Sequence, residues 1–249
     1  MPDNKHKIGW LAASWPAPAH IHAGTTTRIG GISSPPYDTF NLAEHVGDQP
    51  ECVKHNRELL GSGLGLTVTP CWLQQEHSAR VINIADSSAT TQGDGSITNR
   101  KHQICAVLTA DCLPLLLCDL QGTQIAAVHV GWRGYSRNII ANAIAGFSCR
   151  APDLLAWLGP SISAPNYEVG PDVRTACQHI TGNPDIGFLP TRKNHWHADL
   201  AELARYQLQA YGVKAIHGGD YCTCTDVEQF YSYRRDGVTG RMASLIWME

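Results

Sequence analysis

Two apolar runs near the middle of the sequence constrain the fold more than any other feature. Residues 113–118 read LPLLLC, residues 123–130 read TQIAAVHV, and the polar segment DLQG separates them. Apolar runs joined by a short polar turn are typical of a buried antiparallel β-hairpin. The sequence therefore predicts a buried hairpin over residues 113–130.

The register of this hairpin decides whether Cys112 and His129 meet. If Leu120 and Gln121 are the central turn residues, Cys112 and His129 lie directly opposite each other, with Cβ atoms about 4.5–5.5 Å apart. If Gln121 and Gly122 are central instead, the two residues are diagonal neighbours on the same face of the sheet. A slip of one residue on one strand would place them on opposite faces. In the first two registers both residues lie at the end of the hairpin away from the turn.

Cys112 and His129 together admit three interpretations. The pair is a packing contact, a thiolate and base for nucleophilic catalysis, or two ligands of a soft metal ion. Asp111 and the turn GWRG at residues 131–134 add a carboxylate, a ring and a guanidinium beside the same hairpin end. A third ligand would decide between nucleophile and metal, and His77, expected on a strand over residues 70–84, is the best candidate.

The remaining patterns indicate an α/β (α+β) fold, a mixed sheet covered by helices in a single domain of residues 1–249. Helical spacing and caps predict helices over residues 50–60, 135–147 and 199–211. Apolar, β-prone runs predict strands over residues 70–84, 154–158, 230–234 and 242–247. The last two strands are expected to form a hairpin, with Arg234 and Arg235 at its solvated end.

The charge balance excludes two large classes of function. The chain has 19 lysines and arginines against 22 aspartates and glutamates, a net charge of −3, whereas nucleic-acid and membrane-surface binders carry a basic excess. No apolar run reaches the roughly 18 residues of a membrane-spanning helix. The nine cysteines are an odd number and no secretory signal pattern is seen, so free thiols and a cytoplasmic location are expected. We expect a monomer without nucleic-acid or membrane partners.

Motifs spread over nearly the whole chain resemble those of one bacterial family. They are TTRIGGIS at residues 26–33, NLAEHVGD at 41–48 with the following Asn56 and Arg57, QQEHSARV at 74–81, VLTADCLPLLL at 107–117, AAVHVGWRG at 126–134, GPSI at 159–162, YEVG at 167–170 and YSYRRDGVTGRMASLIW at 231–247. The combination of TADCLP with HVGWRG is highly specific. The sequence resembles the YfiH-type proteins, once described as laccase-domain or multicopper polyphenol oxidases and now regarded as zinc-dependent purine nucleoside phosphorylases.

The resemblance implies a metal site, two reactions and a fold. His77, Cys112 and His129 fall at the family's ligand positions, which implies that they bind one zinc ion and act in catalysis. Asp111 is then a candidate proton carrier or the group that orients a histidine ligand. The implied reactions are phosphorolysis of adenosine, inosine, guanosine and methylthioadenosine, and deamination of adenosine, with a small nucleoside and phosphate as partners. The implied fold is the layered sandwich of cytotoxic necrotizing factor-like cysteine hydrolase domains.

Four residues in or beside the matching motifs are candidates for phosphate or ribose contacts. They are Arg28, Asn41, Arg57 and Arg133. The chain departs from the family at Glu76 and Ser78, where valine and glycine are usual. The histidine between them is kept, so this departure bears on substrate preference more than on metal binding.

Two other activities compete with this one. The older family name implies a copper-dependent polyphenol oxidase with Cu²⁺ in place of Zn²⁺, but such chemistry needs several copper centres and the sequence offers one convincing N, S, N donor set. A role also attached to bacterial members is that of a cytosolic hydrolase that edits amino-acid-bearing peptidoglycan precursors. In that role Cys112 would act as the nucleophile and His129 as its base.

Overall fold

The two apolar runs form a hairpin in the middle of a six-stranded sheet. The structure is a computed structural model that describes residues 8–86 and 90–249. Within these ranges the strands are β1 (Trp10–Ala12), β2 (Ile21–Thr26), β3 (Val81–Asn83), β4 (Gly95–Thr98), β5 (Ile104–Thr109), β6 (Leu113–Asp119), β7 (Ile125–Val130), β8 (Leu154–Leu158), β9 (Glu168–Val169), β10 (Phe188–Pro190), β11 (Trp196–Ala198), β12 (Ala215–Gly218) and β13 (Met242–Met248). The α-helices in the same ranges are α1 (Pro50–Leu64), α2 (Trp132–Ser136), α3 (Ile139–Ala145), α4 (Pro171–Thr181), α5 (Leu200–Ala210) and α6 (Tyr233–Asp236).

The described strands form one large sheet and two smaller ones. The six-stranded sheet has the order β12-β8-β6-β7-β4-β3, and its two outer pairs are parallel while the inner pairs are antiparallel. A four-stranded antiparallel sheet has the order β1-β2-β13-β5, and a small sheet has the order β10-β11-β9. The hairpin β6-β7 therefore lies at the centre of the largest sheet.

The core is layered because the strands of the hairpin are buried on both faces. Leu115 and Leu117 of β6 belong to a cluster that includes apolar residues of α2, α3, α4 and α5. Leu116 and Cys118, which point the other way, belong to a cluster shared with β5 and β13 of the four-stranded sheet. The opposite face of that sheet packs on Leu60 of α1. The predicted fold class, mixed sheets with hairpins covered by helices, is confirmed, whereas the likeness to toxin-type hydrolase domains stays a prediction.

The observed register is the one with Gln121 and Gly122 at the centre of the turn, in which Cys112 and His129 are diagonal neighbours on one face of the sheet. Asp119 pairs with Gln124, and β6 and β7 continue in the same register up to the pair Leu113 and Val130. The reason lies in the Asp119 carboxylate, which accepts the backbone N–H groups of Thr123 at 2.6 Å and Gln124 at 2.7 Å. These hydrogen bonds close a four-residue loop, as aspartate side chains commonly do at turns.

Two predicted strands are wrong over most of their length. Of residues 70–84 only Val81–Asn83 forms a strand, because hydrogen bonds to a distant carboxylate hold residues 76–78 in a loop. Residues 230–234 form no strand, since Ser232 caps the short helix α6 by accepting the N–H of Arg235. The strand β13 pairs instead with β2 and β5, so the predicted C-terminal hairpin does not form.

The helix predictions are confirmed in position and differ in extent. The helix predicted over residues 135–147 is interrupted at Asn138, which has φ of 66° and separates α2 from α3. Helix α1 continues to Leu64 and ends at Gly65, which adopts the left-handed conformation. Helix α5 begins after Asp199, whose side chain accepts the N–H of Glu202 as predicted. None of the helices in the described ranges is long and apolar enough to cross a membrane.

Candidate metal centre and its cavity

Two of the predicted metal ligands lie at the end of the hairpin away from its turn. Cys112 immediately precedes β6, and His129 is the fifth residue of β7. Because Pro114 pairs with His129, Cys112 lies two positions along the same face and opposite Gly131. A single hairpin thus places a thiol and an imidazole side by side.

The third predicted ligand, His77, reaches the site from a loop and not from a strand. Its φ of 60° is unusual for a residue with a side chain, and its N–H donates to Asp94 Oδ1 at 3.0 Å. Arg137 holds the loop from the other side by donating to the carbonyl of His77 at 3.1 Å. The ligand atoms of His77, Cys112 and His129 all lie within 4.8 Å of one another. The structure therefore brings the three predicted residues together.

Asp94, which was not among the site residues predicted from the sequence, connects both histidines. Its Oδ1 accepts the Nδ1–H of His129 at 2.9 Å and the backbone N–H of His77 at 3.0 Å. Its Oδ2 accepts the N–H of Glu76 at 3.2 Å, the N–H of Ser78 at 2.6 Å and the Ser78 hydroxyl at 2.7 Å. Because Nδ1 donates to Asp94, Nε2 is the nitrogen of His129 that would bind a metal, on loss of its own proton.

The charges around the site favour the thiolate form of Cys112. Burial opposes ionisation of Cys112, but the charge of His129 and hydrogen bonds from His129 and His77 outweigh it and lower the pKa to about 6. Burial also opposes the charged form of His129, but Cys112 and Asp94 together raise its pKa to about 9. Burial would raise the pKa of Asp94, and hydrogen bonds from His129 and Ser78 lower it instead to about 2. The thiolate is the form that binds metals and attacks electrophiles.

The donor set fits a metal ion with an open coordination position. Two imidazoles and one thiolate are typical ligands of zinc, and three protein ligands leave a fourth tetrahedral position for water or substrate. Ligand atoms bound to one zinc ion at about 2.0–2.3 Å lie roughly 3.3–3.8 Å apart, so small side-chain rotations would bring the present atoms onto one ion. Copper also accepts nitrogen and sulfur ligands, so the donor set alone leaves the metal's identity open.

Gly131 provides the space in which the three side chains meet. A Cβ atom at this position would lie 3.0 Å from Cys112 Sγ, 3.2 Å from His77 Cδ2 and 3.8 Å from His129 Nε2. The backbone of Gly131 has φ of −85°, which any residue adopts, so only the contact with the ligands disfavours a side chain there.

Gly131→Ala is therefore expected to weaken metal binding about tenfold, because crowding of this size costs about 1–3 kcal/mol. Metal affinity is measured by competition with a chelator of known affinity. Gly61→Ala is the control, since nothing lies within 4 Å of a Cβ at that position. An unchanged metal affinity in the Gly131 variant would show that the close approach is not needed.

A cavity of about 520 Å³ opens beside the three ligands. This volume is in the range of about 300–1,000 Å³ in which proteins bind small molecules. Three guanidinium groups, three aromatic rings and one carboxylate contribute to its walls. The lining residues other than the ligands are His45, Gln75, Leu108, Thr109, Ala110, Asp111, Trp132, Arg133, Ile162, Tyr167, Leu200, Tyr233, Arg234 and Arg241.

Of the four predicted substrate-binding residues, only Arg133 lines this cavity. Arg28 and Arg57 form salt bridges with Asp38 at 3.1 Å and Glu44 at 2.6 Å. The buried Asn41 side chain is bonded to backbone atoms and to a carboxylate of its own loop. These three side chains therefore lie outside the lining of this cavity, and their contact with phosphate or ribose stays a prediction.

Asp111 lines the cavity but does not contact a histidine ligand. Its Oδ1 accepts the hydroxyl of Thr223 and its Oδ2 accepts the backbone N–H of Arg234, each at 2.6 Å. The carboxylate that orients His129 is Asp94, so the orienting role expected of Asp111 belongs to Asp94. The role of Asp111 as a proton carrier stays a prediction.

Sequence reasoning missed several polar and aromatic residues of the cavity. They are His45, Gln75, Tyr167, Tyr233, Arg234 and Arg241. All six lie inside motifs that match the family, so charged and aromatic residues of those motifs were the available signal. Arg234, expected at a solvated hairpin end, lies at the cavity because its segment forms α6 and not a strand.

This chain is similar to known proteins along nearly its whole length. The family model described as multi-copper polyphenol oxidoreductase laccase matches residues 22–249. A protein of Escherichia coli (strain K12) named purine nucleoside phosphorylase YfiH is 42% identical over 239 residues, which cover 96% of this chain and 98% of that protein.

Solved structures with the same fold have been described. A Neisseria meningitidis protein, NMB0706, superposes with a TM-score of 0.91 at 44% identity, covering 97% of this chain and 99% of its own. YlmD from Geobacillus stearothermophilus superposes with a TM-score of 0.89 at 28% identity, covering 100% of this chain and 98% of its own. The family match and these relatives show that this chain belongs to the YfiH family of laccase-domain proteins.

Proposed function

We propose that this protein is a purine nucleoside phosphorylase that also deaminates adenosine, with zinc held by His77, Cys112 and His129. The observation that carries the proposal is the N, S, N donor set on the wall of a cavity of about 520 Å³. The names of the relatives support the phosphorylase activity. Adenosine, inosine, guanosine and methylthioadenosine are the proposed substrates.

In phosphorolysis an oxygen atom of phosphate forms a bond to the anomeric carbon of the ribose. The bond from that carbon to the purine nitrogen breaks, its electron pair goes to the base, and the base takes up a proton. The products are ribose 1-phosphate and the free base. The cavity offers the residues that this reaction needs: guanidinium groups for phosphate, aromatic rings for the purine and the carboxylate of Asp111 for proton transfer.

In deamination a water molecule replaces the amino group on the purine ring and ammonia leaves. A zinc ion at the three ligands supplies Lewis-acid polarisation of a bound group. The chain's own contribution is to hold the ligands in place through Asp94 and to keep the thiolate of Cys112 ionised near neutral pH. Both proposed reactions therefore depend on the same three side chains.

Incubation of the purified protein with adenosine tests both activities. With phosphate and zinc we expect adenine and ribose 1-phosphate, and without phosphate we expect only inosine and ammonia. Removal of the metal by a chelator is expected to stop both reactions, and addition of zinc to restore them. Products are separated by chromatography, and the metal is quantified by mass spectrometry. Absence of phosphate-dependent base release from any of the four nucleosides would refute the phosphorylase proposal.

The description of the family model makes a copper-dependent phenol oxidase the competing assignment. Oxidases with several copper ions need several groups of histidine and cysteine ligands. Over residues 8–86 and 90–249, only one group of three or more potential metal ligands is found. Stoichiometric copper in the purified protein, together with oxygen consumption on phenols, would favour the oxidase and contradict our proposal.

A second candidate is a hydrolase that acts on peptidoglycan precursors with Cys112 as the nucleophile. One observation favours it, the lowered pKa of Cys112 beside His129, since catalytic cysteines use such a pair. A metal-free hydrolase keeps its activity in a chelator and loses it on alkylation of the thiol. The zinc enzyme loses activity in the chelator, and bound zinc protects Cys112 from alkylation.

A further inference from the structure

Three arginine side chains enter the cavity without a carboxylate partner. Arg133 follows β7, Arg234 lies in α6, and Arg241 immediately precedes β13, so three separate segments supply them. In the part of the chain that the structure describes, none of the three forms a salt bridge, whereas Arg28 and Arg57 outside the cavity each do. These three side chains therefore form a cationic wall of the cavity that has no salt bridge in the described residues.

The hydrogen bonds of these arginines use few of their donors. Arg241 donates to the carbonyls of Thr239 at 2.8 Å and Gly240 at 2.9 Å, in both cases from Nη1. Arg234 donates from Nη1 to the carbonyl of Glu168 at 3.1 Å. A guanidinium carries five N–H donors, so each of these two groups retains donors for a ligand.

Aromatic rings of the same cavity support the guanidinium groups from their flat faces. The distances from the guanidinium carbon to the ring centroid are 4.3 Å for Arg133, 5.0 Å for Arg234 and 5.9 Å for Arg241. The rings are Trp132, Tyr167 and Tyr233, in that order. Stacking occupies the faces of a guanidinium and leaves its N–H edges available, and these edges match the oxygens of phosphate in pairs.

The carboxylate on the described cavity wall, that of Asp111, forms no salt bridge with these arginines. Asp111 is buried, and its two oxygens already accept the Thr223 hydroxyl and the backbone N–H of Arg234. Arg241 is partly buried, and burial lowers its pKa although the charges of Cys112 and Asp111 act in the opposite direction. A cation that is partly drawn out of water without a direct ionic partner is costly, and an anionic ligand reduces that cost.

We propose that Arg133, Arg234 and Arg241 form a binding site for a tetrahedral oxyanion, and that its ligand is inorganic phosphate. The assignment of this phosphate as the attacking co-substrate rests on the proposed phosphorylase function. The site lies in the same cavity as the metal ligands, so phosphate and nucleoside occupy one enclosed space. Arg28 and Arg57, candidates from the sequence for phosphate or ribose contacts, are not part of this proposed site.

The test uses Arg133→Gln, Arg234→Gln and the double variant of the full-length, zinc-loaded protein. Each single change is expected to raise KM for phosphate in base release about 10- to 100-fold, because each removes a charged hydrogen bond worth about 1.5–3 kcal/mol. KM for adenosine in the phosphate-free deamination is expected to rise by a clearly smaller factor than KM for phosphate, since neutral adenosine gains less from these charges. Arg150→Gln is the control, as its exposed side chain pairs with Asp153 outside the cavity.

Direct binding separates this inference from the proposed reaction. Titration of the zinc-loaded protein with inorganic phosphate in a calorimeter is expected to give heat in the wild type and in Arg150→Gln, and none in the double variant. If the wild type cleaves no nucleoside yet binds phosphate through these arginines, the inference stands and the proposed function fails. If the wild type cleaves nucleosides while the variants keep its KM and Kd for phosphate, the inference is refuted. Arginine-dependent binding of adenosine 5′-monophosphate without binding of inorganic phosphate would also refute it.

Discussion

Replacement of Cys112 by serine is expected to abolish both metal binding and turnover while the protein stays folded. The thiolate is the only anionic ligand of the three, and a serine hydroxyl remains protonated at neutral pH and binds zinc poorly. We expect metal affinity to fall at least about 100-fold and both proposed activities to fall below about 1% of wild type. The measurements are metal content after dialysis, rates of adenine and inosine formation, and Tm of the apo-protein.

A second cysteine supplies the control for this change. Cys149 is also partly exposed, but it lies outside the cavity and burial raises its pKa. Cys149→Ser is therefore expected to keep metal and activity. A Cys112→Ser protein that retains full metal content but loses turnover would point to a cysteine nucleophile. A variant that retains both would remove Cys112 from the site.

The meeting of Cys112 and His129 was predictable from the sequence because it depends on a local pattern. Two of the three registers considered place the two residues on the same face, since side chains alternate with a period of two, and only a slip of one residue on one strand would separate them. The observed register is the one in which Asp119 closes a longer loop with its side chain. A wrong choice between these two registers therefore changes the direct partner of a residue but not the face of the sheet on which it lies.

The position of His77 was not predictable from local pattern. The apolar residues around it favour a strand, yet the loop is held by Asp94, 17 residues further along the chain. That interaction has no local sequence signature, because only the folded sheet brings the two segments together. His77 was the best sequence candidate for a third ligand and the family resemblance implied it as a ligand, but the strand predicted around it was wrong.

The roles of the arginines in the cationic wall were likewise not predictable from local sequence pattern. From the sequence, Arg28 and Arg57 are as plausible as phosphate ligands as Arg234 and Arg241. Their surroundings differ because Asp38 and Glu44 fold next to the first two, while the pairing of β13 with β5 brings Arg241 to the cavity. Ion pairing depends on contacts between distant segments, and residue type alone does not reveal it.

Asp94→Asn is expected to weaken metal binding about 10- to 100-fold although the two side chains have the same shape. The carboxylate accepts five hydrogen bonds and donates none. An amide must turn its NH₂ group either toward His129 and His77 or toward the N–H groups of Glu76 and Ser78. In the first orientation His129 has to carry its proton on Nε2, where it blocks the metal. In the second, the loop that bears His77 loses its acceptor.

Asp119→Asn, at the turn of the hairpin, is the matched variant that separates a loss of stability from a loss of metal affinity. Asp119 is also buried and also accepts backbone N–H groups, from Thr123 and Gln124, but it lies at the turn. Each variant is expected to lower the free energy of unfolding by about 1–3 kcal/mol, because each leaves buried donors unsatisfied. Asp119→Asn should nevertheless bind zinc with the affinity of the wild type, and Asp94→Asn should not. Equal zinc affinity in the two variants would show that Asp94 supports only the fold, and the metal site would then need no carboxylate to orient it.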